Sequence, residues 1–251
     1  MIYVFLFILG TILGSFYNVV IYRLPKGKSI IVPSSHCPSC GYPIRWYDNI
    51  PIISFILLKG KCRKCKSKIS LIYPFVEFSS GVLLVMCFIR WDHITEAIVM
   101  YIFFSMLLIL SVIDWQTFTL PDIINYTGIV FGVASSFIRE GFSLYDSILG
   151  LVFGFTLPFL IYLYYVKIRK MEGLGLGDVK LLCFIGAVSG MYGVLSAVTI
   201  GSLLGLLYAV PFILKYRNLK FVVPFGPFLS LGCFIGLTFE NYIGWIWKGM
   251  T

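Results

Sequence analysis

Charge is what this chain has least of. Only 12% of its 251 residues are Asp, Glu, Lys or Arg, while 59% are hydrophobic. A soluble domain is about 25% charged and about 45–50% apolar. The shortage excludes an ordinary soluble enzyme and defines a polytopic membrane protein. The first apolar run, Met1 to Tyr22, has no basic stretch ahead of it and no small-residue cleavage site after it. It is also too long for the apolar core of a signal peptide, so it reads as a retained membrane helix. The net charge of +9 raises nucleic acid as a partner. Basic loops on a membrane protein are instead orientation signals and contacts to anionic headgroups. The expected partner is membrane lipid, not nucleic acid.

Hydropathy predicts about eight spans, at 2–22, 72–90, 95–113, 123–138, 146–166, 179–192, 194–214 and 225–246. Only Gly190-Met191-Tyr192-Gly193 separates the sixth from the seventh. Alternating loops then divide the basic residues very unequally. One side holds ten Lys/Arg in 23–71, four in 167–180 and three in 215–220. The other side holds only Arg90, Arg139 and Lys248. The positive-inside bias puts 23–71 in the cytoplasm and the N-terminus outside. The expected fold is therefore all-α and polytopic. It comprises a first helix (1–22), a small cytoplasmic domain (23–71) and a membrane-embedded domain (72–251).

The cytoplasmic stretch carries Cys37-Pro38-Ser39-Cys40 and Cys62-Arg63-Lys64-Cys65. Two C-x-x-C knuckles at such spacing match a tetrahedral structural zinc site. A pair of disulfides is the competing reading, and a reducing cytoplasm weighs against it. Four thiolates around zinc leave a formal charge of −2, which Lys61, Arg63, Lys64, Lys66 and Lys68 would offset. So short a segment has little core of its own, and metal can supply its folding energy. Cys87, Cys183 and Cys233 fall in apolar spans and read as packed thiols.

Two aspartates stand at the edges of apolar runs, where a carboxylate is costly and tends to serve chemistry. Asp114 ends the third span as it reaches the cytoplasmic side, and Asp178 begins the sixth as it leaves that side. Both therefore belong to one face, where two carboxyls sharing a proton could activate water. Gly173, Gly175 and Gly177 alternate before Asp178 and allow a substrate backbone to approach. The competing reading makes this a flexible loop with Asp178 as helix N-cap. Asp122, after Pro121, reads as a helix-start residue. Lys180 points away from Asp178 on a helix and is available to headgroups or a substrate carboxylate. Glu77, inside the second span, implies either function or a buried partner. A carboxylate-based transporter is an alternative use of the same acids, but their position at one face, not mid-membrane, disfavours it.

Read in order, these residues resemble the type IV prepilin peptidases, a family of bacterial inner-membrane aspartic proteases. The resemblance starts with Gly14-Ser15-Phe16-Tyr17-Asn18 and runs on through Arg23-Leu24-Pro25, both cysteine knuckles and Tyr73-Pro74-Phe75-Val76-Glu77. It ends with Asp114, Pro121-Asp122 and Gly175-Leu176-Gly177-Asp178-Val179-Lys180. It implies that Asp114 and Asp178 are the catalytic pair. It implies cleavage of a basic leader from prepilins or pseudopilins at the cytoplasmic face. With the cysteine domain present, it also implies S-adenosylmethionine-dependent methylation of the new N-terminus. No G-x-G-x-x-G follows a strand, so that cofactor rests on the resemblance alone.

Overall fold

A computed structural model describes residues 1–170, 175–216 and 223–240, except the side chains at 213, 215 and 216. Gly173, Arg217, Lys220 and Lys248 lie outside the described residues, as do the last residues of the expected eighth span. In lipid a backbone must satisfy its own hydrogen bonds, and the described residues form helices and no strand. In order these are α1 (Ile2–Arg23), α2 (Ile53–Leu57), α3 (Ile72–Arg90), α4 (Ile94–Thr117), α5 (Asp122–Ser135), α6 (Leu144–Leu163), α7 (Leu176–Tyr216) and α8 (Gly226–Thr238). Five helical stretches are long and apolar enough to cross a membrane, and α8 is a shorter apolar helix.

The apolar stretch Leu176–Phe212 is 37 residues long. A crossing takes about 20 residues, so that length suits two. Gly190 interrupts α7 with φ 66° and ψ −166°, a conformation that glycine alone adopts without strain. The break falls where the sixth and seventh expected spans meet.

The chain divides into two compact units, Met1–Ile109 and Leu110–Thr251. In the first, α1 lies against α3 through small residues. A Cβ on Gly10 would stand 2.7 Å from the Ser80 carbonyl oxygen, and one on Gly14 would stand 2.7 Å from the Glu77 Cα. Such close backbone approach is how membrane helices associate without a hydrophobic drive. Hydrogen bonds lock the contact: the Ser80 hydroxyl donates to the Gly10 carbonyl at 2.7 Å, and Asn18 Nδ2 donates to the Tyr73 carbonyl at 3.0 Å. Where α1 ends, the buried Arg23 guanidinium donates to the carbonyls of Ser29 (3.1 Å) and Pro33 (2.7 Å) and ties down the loop that follows.

In the second unit, α5 and α6 pack on the first half of α7, and α8 packs on the second half. Gly150 of α6 and Gly186 of α7 meet so closely that a Cβ on either would strike the other's carbonyl. Gly232 of α8 likewise faces Gly201 of α7. Buried Ser147 donates to the Ala187 carbonyl at 2.7 Å. On α6, Ser143 and Asp146 form a capping box, which sets its start at Leu144.

Candidate active site and metal centre

Asp114 lies in the last turn of α4 and is only 6% exposed. Beyond it the chain turns sharply: the Phe118 N–H donates to the Asp114 carbonyl at 2.9 Å, and Phe118 itself has φ 54°. On the carboxyl side, Asp114 Oδ2 accepts the Gly226 N–H at 3.0 Å. Gly226 is the first residue of α8, and the free N–H groups and dipole of a helix start favour an anion. A Cβ there would stand 2.8 Å from Asp114 Oδ2, so any other residue would displace the carboxyl.

Asp178 sits in the first turn of α7. The helix begins at Leu176, so Asp178 is its third residue and not the N-cap that the competing reading made it. Its half-buried carboxyl reaches back over Gly175 and takes that residue's N–H. A Cβ on Gly175 would lie 3.3 Å from Asp178 Oδ2. The two aspartates are close enough to act on each other electrostatically. Leu120, from the loop after α4, bridges their surroundings: it lies 3.3 Å from a Cβ built on Gly177 and 3.3 Å from one built on Gly226. The fold thus gathers Asp114, Asp178, Gly175, Gly177, Leu120 and Gly226.

Lys180 and Asp122 find each other instead of lipid or substrate. Lys180 Nζ is 2.7 Å from Asp122 Oδ1, and it also lies 5.5 Å from the Tyr126 ring centre. Asp122 is the first residue of α5, as its place after Pro121 implied. The ion pair braces the start of α5 against the turn that carries Asp178. Sequence reasoning missed Gly226 and Leu120. A glycine followed by Pro227, at the head of an apolar run, is a helix-start signal that marks the first of them.

In the first unit, Glu77 has the buried partner that its place in a span required. It is 8% exposed, and its Oε2 accepts the Ile52 N–H at 2.7 Å. Ile52 has φ 61°, so the carboxylate steadies a strained turn just before α2.

The cysteine segment brings its ligands together. The sulfurs of Cys37, Cys40, Cys62 and Cys65 all lie within 4.8 Å of one another, and Cys37 Sγ is 3.8 Å from Cys65 Sγ. Four sulfurs at about 2.3 Å from a zinc ion stand about 3.8 Å apart, so the set fits the metal. Each knuckle is closed in the same way: Gly41 N–H to the Cys37 carbonyl at 2.9 Å, and Lys66 N–H to the Cys62 carbonyl at 3.1 Å. Gly41 and Lys66 both have positive φ. Burial pushes the Cys37 thiol up, but the N–H groups of Ser39 and Cys40 and the Ser67 hydroxyl outweigh it and bring it down to about 6. Ser67 also holds Cys65 below its usual range. The Tyr42 N–H works to lower Cys40, yet burial and the three neighbouring thiols push it to about 11. Crowded thiols that favour the thiolate in part are what a divalent ion resolves. Arg63, expected to offset the thiolates, forks onto Asp48 at 2.6–3.0 Å and holds that carboxyl below its usual range.

The molecule is thus a helical protein with candidate membrane spans, two interacting carboxyls in one unit and a metal-competent cluster of four cysteines in the other. Two family models match it: the bacterial peptidase A24 N-terminal domain over residues 8–91, and the type IV leader peptidase family over residues 101–210. The first contains the four cysteines and Glu77, and the second contains both aspartates. A prepilin leader peptidase/N-methyltransferase from Pseudomonas putida is 32% identical, over 94% of this chain and 90% of the relative. A type 4 prepilin-like proteins leader peptide-processing enzyme from Escherichia coli O78:H11 is 35% identical, over 89% of this chain and 88% of the relative. No solved structure matches. The chain belongs to the type IV leader peptidase family.

Proposed function

We propose that this protein is an aspartic endopeptidase of the bacterial inner membrane. It removes the basic leader of prepilins or pseudopilins at the cytoplasmic face and methylates the amine so exposed. The observation that carries the reading is the electrostatic proximity of Asp114 and Asp178 inside the segment matched by the leader peptidase family. Relatives across most of the chain bear names for both activities. A transporter using the same carboxylates is not favoured by the family or by those names.

Cleavage follows from two carboxyls that share one proton. The ionised carboxyl takes a proton from water, and the neutral one donates to the scissile carbonyl as the tetrahedral intermediate forms. Its collapse breaks the C–N bond and delivers a proton to the leaving amine. Gly226 holds the Asp114 carboxyl through its N–H, and Gly175 does the same for Asp178. The leader passes at the start of α7, where Gly175 and Gly177 carry no side chain, and Lys180 with Asp122 keeps that turn in register.

Cys37, Cys40, Cys62 and Cys65 would hold zinc in a structural role, since four thiolates would leave no position for substrate. For the methylation, S-adenosylmethionine would supply the electrophilic methyl group. An apolar cavity in the first unit, lined by α1 and by residues of 30–53, offers no carboxylate to meet that cationic donor, so no step is assigned through it. Eight crossings with the N-terminus outside complete the topology. The helices α1, α3, α4, α5, α6 and α8, with the two halves of α7, supply eight apolar segments for them.

The test is co-expression with a prepilin, read by mass spectrometry, where leader loss and one added methyl appear together. Asp114→Asn and Asp178→Asn should each leave a folded protein with uncut prepilin. Full cleavage by either variant in lipid would refute the paired-carboxyl mechanism.

A further inference from the structure

Neither the carboxyl pair nor the zinc cluster accounts for the outer surface of the first unit. The segment 23–71 holds ten Lys/Arg and one acid, Asp48, which Arg63 already engages. It is also conspicuously apolar outside: Ile31 is 82% exposed, Trp46 81%, Leu57 75% and Val32 67%. Large apolar side chains gathered on a surface mark a partner or a membrane.

Several of them converge on one chamber. Ile31, Trp46, Ile50 and Ile53 line a cavity of about 760 Å³ together with Ile12 and Phe16 of α1. Ile12 and Phe16 are about half exposed, on the outward side of a candidate membrane span. The α1 wall of the chamber runs from Phe7 to Val19. That is about 18 Å at ~1.5 Å per residue, close to the ~15 Å of hydrocarbon in one leaflet. Polar lining groups are Thr11, whose hydroxyl is spent on the Ile8 carbonyl, and Ser15 on α1, with Arg23, Ser34, Ser35 and Asn49 at the other end.

The geometry points to an anionic phospholipid as the occupant of this chamber, with the cysteine segment seated on the membrane surface above it. Its acyl chains run along α1 between Phe7 and Val19. Its headgroup lies beside Ser34, Ser35 and Asn49, in a segment whose charge is almost wholly positive. Trp46 takes the interfacial position that tryptophan favours, and Ile31 and Val32 dip beside it. The slot has the depth of one leaflet, a mostly apolar wall continuous with a candidate membrane span, and a polar mouth in a segment of ten Lys/Arg and one acid, as such a lipid requires. This seat is independent of the leader-cleavage reading.

The test uses the full chain in nanodiscs of phosphatidylcholine with or without phosphatidylglycerol. Emission from Trp46 is the difference between the native chain and Trp46→Phe. Lipids brominated on the acyl chain should quench it about two-fold or more, as for an interfacial indole; no quenching would place Trp46 in water and overturn the proposal. After extraction into detergent, native mass spectrometry should show phosphatidylglycerol retained about ten-fold over phosphatidylcholine. Equal retention would overturn the headgroup assignment. The double variant Ile31→Ser, Val32→Ser alters only exposed side chains. It should lose retained phosphatidylglycerol while keeping its zinc and helix content; retained lipid would show that this face is not the seat. If a cleaved prepilin relieved the quenching, the chamber would belong to the substrate's apolar helix and the lipid reading would fall.

Discussion

Replacing Gly226 by alanine separates the geometry of the site from the stability of the fold. The new Cβ would stand 2.8 Å from Asp114 Oδ2 and 3.3 Å from both Asp114 Cγ and Leu120 Cδ2. Ordinary carbon–oxygen contact needs several tenths of an ångström more, so the carboxyl must turn away from the N–H it now meets at 3.0 Å. A hydrogen bond to a charged group contributes about 1.5–3 kcal/mol, so its loss predicts a fall of about 10- to 100-fold in kcat. The backbone should not suffer, because alanine in a helix is favoured over glycine by up to about 1 kcal/mol. The assay is prepilin cleavage in lipid, with kcat and KM separated and thermal unfolding followed in parallel. A folded Gly226→Ala enzyme with unchanged kcat would refute the assignment of this N–H to Asp114. An unfolded one would refute the claim that side chains alone give way and the backbone does not suffer.

Three further outcomes follow from the packing and the metal set. Cys62→Ser or Cys65→Ser should strip the zinc and make 23–71 sensitive to added protease, while peptide hydrolysis changes less; hydrolysis lost with fold and docking intact would make the metal catalytic. Gly186→Leu should lower stability by about 1–3 kcal/mol or more in detergent unfolding, by overpacking against Gly150. Gly205→Ala, whose nearest neighbour would be at an ordinary 3.6 Å, should not, and equal effects would refute the seam. Lys180→Met and Asp122→Asn should show a stability coupling below about 1 kcal/mol in a double-mutant cycle, since the pair is partly solvated. That coupling should shrink with salt; a larger, salt-insensitive value would refute the surface reading.

Local features were legible in the chain, and distant pairings were not. Hydropathy places 72–90 on the bounds of α3 and separates the halves of α7 at Gly190, because a lipid-facing helix is written in its own residues. The knuckles were legible for the same reason: a C-x-x-C turn is complete within a few residues. Asp122 and Lys180 are 58 positions apart, and Asp48 and Arg63 are 15 apart. Which acid meets which base depends on how helices and loops pack, and spacing along one element cannot show it. Spacing on α7 alone correctly turned Lys180 away from Asp178, yet could not name Asp122 as its partner. Gly226 escaped notice because a glycine in an apolar run has many uses, and only the carboxyl opposite it reveals this one.

The bond between Asp114 and Gly226 spans 112 positions of the chain. During synthesis, both aspartates emerge well before the helix whose first N–H holds one of them. A nascent chain that ends short of α8 therefore owns its acids but not their alignment. The alignment of Asp114 is thus a late event in the making of the chain, set by a residue 112 positions further on.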